Sequence, residues 1–248
     1  MTDAPKPPGA CFNRRGFIVA TAATPLAGFV QPAEAQQPTA APPAGNQPAP
    51  ATAPEPVPAG AEDGASIFLN NPETDTLRAL VDRLIPAGPE GPGAVEVGVV
   101  TFIDRQLAGA FGVADKWYLR GPFPQGTPSQ GWQYAITPGM LYKHALGTLE
   151  RIVRAEHGRG VSELDAGEQD ALLHRMEQPG MDLGGVPAPV FFEMLLQNTM
   201  EGYFADPLYG GNRGGATWKH IGYPGANPVR NDLVGAAAAF DGEPVSIG

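Results

Sequence analysis

Apolar residues recur at three- and four-residue spacing in five stretches of the chain, and no stretch keeps up a two-residue alternation. Leu77, Leu80, Val81, Leu84 and Ile85 make the first stripe, at the spacing of one helix face. Asn71 is a suitable N-cap there, Pro72 fits the first helical position, and Glu73 and Asp75 suit the first turn. Pro86 ends the pattern. Val99, Val100, Ile103, Leu107 and Ala110 predict a second helix over residues 96–110, with Asp104 and Arg105 facing water or a partner. A third begins at Thr137-Pro138, carries Leu141, Tyr142, Ala145, Leu146, Leu149, Ile152 and Val153, and ends at Gly158. Asp165 with Glu168 spells a capping box for a fourth, whose core face is Leu172, Leu173 and Met176. The fifth starts near Val190. Its Phe191, Phe192, Met194, Leu195, Leu196, Met200, Tyr203 and Phe204 leave little polar face, which predicts a buried helix. Beyond Gly225 the signal fades, with a short helix expected over 232–240. The pattern predicts an all-α fold: an irregular bundle of about five helices within residues 66–248.

Two long non-periodic stretches interrupt the bundle, and loops of this length in a compact domain are usually functional. Residues 117–133 carry Trp117, Tyr118, Arg120 and Trp132 among frequent Pro and Gly. Residues 203–223 place Tyr203, Asp206, Tyr209, Asn212, Arg213, Trp218 and Tyr223 around Gly210, Gly211, Gly214 and Gly215. Aromatic rings with arginine are typical interface anchors, so both loops are candidate partner surfaces. The competing reading is that they only pack over their own helices.

Composition adds a leader and a linker. Residues 1–35 hold a basic start, an apolar run over 16–30 that is too short to span a bilayer, and an Ala33-Glu34-Ala35 cleavage site. Arg14 and Arg15, then Gly16 and Phe17, fit a twin-arginine export signal, which carries proteins already folded. A general secretory signal with a chance arginine pair, and an uncleaved anchor, are the alternatives. Residues 36–65 are rich in Pro and Ala and lack aromatic rings, which predicts a disordered linker. The net charge of −10 argues against nucleic acid and against an anionic membrane surface. Cys11 is the single cysteine and lies before the arginine pair. The exported chain therefore has no thiolate to offer a disulfide, an iron–sulfur cluster or a covalent haem.

No catalytic constellation emerges from the residues. None of His144, His157, His174 and His220 falls in a zinc-protease motif. Asp170 and His174 share a helix face at i, i+4, a spacing that suits half a metal site but more often a surface ion pair. The glycine run from 210 to 215 lacks the Lys-Ser/Thr of a phosphate loop and has no preceding strand. No metal ligand, cofactor ligand or catalytic residue is assigned.

Five segments together resemble a known family: the twin-arginine leader, LVDRLIPAGPEGPGAVEVGVVTFIDRQLAG, WYLRGPF, TPGMLYKHALGTLER and FFEMLLQNTMEGYFADPLYGGNRGGATWKHIGYPG. The chain is similar to the gluconate 2-dehydrogenase subunit 3 family from about Pro72 to Gly225, most specifically in the Asp-Pro-x-Tyr-Gly-Gly-Asn block. That resemblance implies the small subunit of a membrane-associated sugar or sugar-acid dehydrogenase. Its large subunit would be an FAD-bearing flavoprotein of the glucose–methanol–choline type, and a multihaem cytochrome c subunit would pass electrons to quinone. The small subunit would hold no cofactor, stabilise the flavoprotein and carry it through the twin-arginine pathway to the periplasm, meeting the membrane only through the complex. The alternative is a stand-alone periplasmic enzyme or cofactor-binding protein with an unrecognised site.

Overall fold

A computed structural model describes residues 66–124, 126–127, 130–226, 240 and 242–248. The leader with Arg14, Arg15 and Phe17, the linker at 36–65 and all but the last residue of the helix expected over 232–240 lie outside the described residues. Among the described residues the fold is all-α: α1 Asn71–Leu84, α2 Val99–Ala108, α3 Pro138–His157, α4 Ala166–Glu177, α5 Ala188–Phe204 and α6 Ala216–Ile221.

Local signals set most boundaries. The capping box of α1 pairs Asn70 with Glu73, so the cap stands one residue earlier than Asn71. The α3 cap is Thr137, and Gly158 closes it in the left-handed region. Asp165 and Glu168 form the reciprocal cap of α4. Helix α2 is shorter than expected because Gly98 sits at φ 86° and starts it only at Val99.

Helix α5 packs on α2 and α4, and α1 packs on α3 and α4. Leu77, Leu80, Ile103, Leu141, Leu146, Leu149, Phe191 and Leu195 are fully buried where these helices meet. Tyr142 meets Phe191 edge-on at 5.2 Å, and its hydroxyl accepts a 2.8 Å hydrogen bond from Asn198 Nδ2. Burial pushes the Tyr142 phenol well above its ordinary pKa.

Asp104 departs from expectation. It faces neither water nor a partner but is buried, and its carboxylate accepts the backbone N–H groups of Ile67, Phe68 and Leu69 at 2.7, 3.2 and 2.9 Å. Those three donors precede α1 and have no helix to satisfy them, so one carboxylate on α2 fixes where the chain joins the bundle.

Candidate partner interface

The glycine-rich loop is built inward. Asn212 is fully buried in the left-handed region at φ 44°. Its Nδ2 donates to the Ala205 carbonyl at 3.0 Å, and its Oδ1 accepts from the Thr217 backbone N–H at 2.9 Å. The Thr217 hydroxyl donates to the Tyr203 carbonyl at 2.6 Å. Arg213 reaches α2 and the turn before it: its guanidinium donates to Thr101 Oγ1 and its backbone N–H to Val97 O, each at 3.0 Å. Gly211 lies so close to α5 that a Cβ would stand 2.1 Å from the Gly202 carbonyl oxygen, which explains a glycine there.

The aromatic residues of this loop divide. Trp218 is 6 % exposed, and its indole N–H donates to Phe204 O at 3.0 Å. The buried Tyr203 donates its hydroxyl to Pro92 O at 2.8 Å, and burial raises its pKa. These two rings and Asn212 are therefore interior groups, which corrects the expectation that they form a free surface. Asp206 is also engaged within the chain, accepting from Leu208 N, Ser246 Oγ and Ile247 N. Tyr209 and Tyr223 remain exposed, Tyr223 resting edge-on against Trp218 at 5.2 Å.

The first loop builds a groove of about 940 Å³ against α5. Phe111, Trp117, Trp132 and Tyr134 follow one another along it at centroid distances of 5.8, 5.3 and 5.2 Å. Trp117 and Trp132 are half-buried, and the Trp132 indole N–H donates to Ile136 O. Tyr118 lines the groove yet is 79 % exposed, and Arg120 is exposed beside it. The opposite wall is α5, through Val190, Glu193, Met194 and Gln197.

Helix α5 is not buried all round. Leu196, Met200 and Phe204 are 39, 43 and 40 % exposed. At four-residue spacing they form one apolar stripe, which the half-exposed Phe192 begins. The charged residues of α5 are Glu193 and Glu201, both acidic and exposed. Periodicity could not find this stripe, because an apolar helix has the same composition whether it faces a core or a partner.

The sequence model of the gluconate 2-dehydrogenase subunit 3 family matches residues 71–225, well over half the chain and every helix from α1 to α6. The chain belongs to that family. No curated protein and no solved structure matches it.

In this subunit 3 chain no group of three or more His, Cys, Asp or Glu side chains capable of holding a metal occurs among the described residues. Asp170, considered above with His174, instead forms a two-bond pair with Arg83 of α1. His174 stands 3.8 Å from Glu177. Among the described residues no helix is long and apolar enough to cross a membrane.

Proposed function

We propose that this chain is the non-catalytic accessory subunit of a periplasmic, membrane-associated flavoprotein dehydrogenase. It stabilises an FAD-bearing large subunit of the glucose–methanol–choline type and carries it, folded, through the twin-arginine pathway. A multihaem cytochrome c subunit takes the electrons. FAD and haem c sit in the partners, and this chain meets the membrane only through them. The family match over residues 71–225 carries the reading. The Arg14-Arg15 leader supports export of a folded unit. The stripe of Leu196, Met200 and Phe204 supplies an apolar face for a large partner.

The test is export on a single signal. With Arg14→Lys and Arg15→Lys together, both this chain and the flavoprotein stay in the cytoplasm on fractionation. Flavoprotein still reaching the periplasm removes the escort role. The isolated chain is expected to be colourless, and a stoichiometric flavin spectrum from it would replace this reading with a cofactor-binding one.

A further inference from the structure

The aromatic groove points to an occupant already present in the chain. We propose that it holds the chain's own proline-rich stretch, Ala53-Pro54-Glu55-Pro56-Val57-Pro58, as a polyproline II strand. This inference does not depend on the accessory-subunit reading.

Ring chemistry is the first ground. Phe111, Trp117, Trp132 and Tyr134 line the groove in succession. Proline-rich strands dock in grooves of this kind, because their backbone is pre-set and little entropy is lost on binding. A polyproline II strand also has no internal hydrogen bonds, so its carbonyls need donors from the groove. Gln130, Gln133 and Gln197 line the groove, and although Gln133 and Gln197 each give one amide N–H within the chain, to Thr127 O and Glu201 Oε1, each keeps a second to offer.

Charge is the second ground. Glu193 is the one charged residue among the described residues that line the groove. An apolar occupant suits it, with any carboxylate turned outward. At three residues per turn, Ala53 with Pro56 and Pro54 with Val57 form two adjacent apolar faces, and Glu55 falls on the third, toward water.

Position is the third ground. Asp104 fixes residues 67–69 onto α2. There the Phe68 ring lies against Gly139, close to the carbonyl of Gly112. Gly139 N–H donates to that carbonyl at 2.9 Å, and the preceding residue is Phe111, at one end of the groove. The described chain thus begins beside the ring ladder. Seven residues lie between Pro58 and Ser66, which makes eight residue-to-residue steps. At about 3.1 Å per residue an extended chain of that length reaches roughly 25 Å, enough to lie along the rings.

The experiment uses the full chain. Its tryptophans are Trp117 and Trp132 in the groove and Trp218 in the interior, so acrylamide quenching of their fluorescence reads the groove. With Pro54→Gly, Pro56→Gly and Pro58→Gly together, the quenching constant should at least double, and an added synthetic peptide of residues 51–64 should restore the protection. Unchanged quenching overturns the proposal. A photo-crosslinking residue at position 57 of the otherwise unaltered chain provides a second readout, independent of how the glycine variant folds. Adducts on residues 111–134 or 190–197 of the same molecule support the proposal. Adducts elsewhere, or joining two copies, overturn it.

Discussion

Single residues in the glycine-rich loop hold the fold together. Trp218→Ala removes a buried ring and its hydrogen bond to Phe204 O, and such truncations typically cost about 3–5 kcal/mol of folding stability. Asn212→Ala leaves the Thr217 N–H and the Ala205 carbonyl without their side-chain partner, at about 1–3 kcal/mol for each unsatisfied buried group. Tyr118→Ala, at a ring 79 % exposed, should change stability by no more than about 0.5 kcal/mol. Urea unfolding of the three variants checks this order, and a silent Trp218→Ala would return that ring to the surface. The identity of these residues as special was legible in the sequence, but the direction they face was not. Local spacing cannot reveal that Asn212 satisfies groups five and seven residues away, or that Asp104 takes three N–H groups from a segment some 35 residues earlier.

At the scale of helices, what is local was legible. Asp165 with Glu168 and Thr137 with Pro138 mark their helices as expected, because a cap is written within four residues. Helix α6 was missed, since the glycines at 210–215 argue against any regular element nearby. The pairing between helices was equally hidden. Hydrogen bonds from Arg83 hold the Asp170 carboxyl of α4 below its usual range, and those from Arg175 of α4 do the same for Glu156 of α3. Both groups have lower pKa values folded than unfolded, so the unfolded chain binds more protons and stability rises with pH through this window. The contribution is fully present above about pH 5, beyond the ordinary carboxylate range, and is lost as pH falls through the lowered folded values. Arg83→Ala with Arg175→Ala should therefore lower the melting temperature slightly at pH 7, as expected for exposed pairs. The gap to the unaltered protein should close below pH 4. A gap that stays constant down to pH 2 would mean that the arginines act through packing alone.

Among the described residues, α5 presents a continuous apolar stripe from Phe192 to Phe204, and the proposed complex needs such a face. Leu196→Glu with Met200→Glu places charge on positions already 39 and 43 % exposed, so the free subunit should melt as before. Association with the large subunit should weaken by at least about 2 kcal/mol, roughly 30-fold in Kd, if the stripe contains hot spots. Titration calorimetry reads the difference, and unchanged affinity would move the interface elsewhere. At the far end of the chain, Ala226 N–H donates to Val245 O and Val245 N–H to Pro224 O, while Ser246 and Ile247 fasten to Asp206. Pro224 and Ala226 are thus clasped to Val245, and the chain between the two sides of the clasp is closed at its ends. Lengthening such a closed segment costs little, about 0.6 kcal/mol for each doubling. The clasp therefore marks a place for an internal affinity handle: an epitope inserted near residue 235 should leave α1–α6 intact and allow the subunit to be withdrawn with its partners attached.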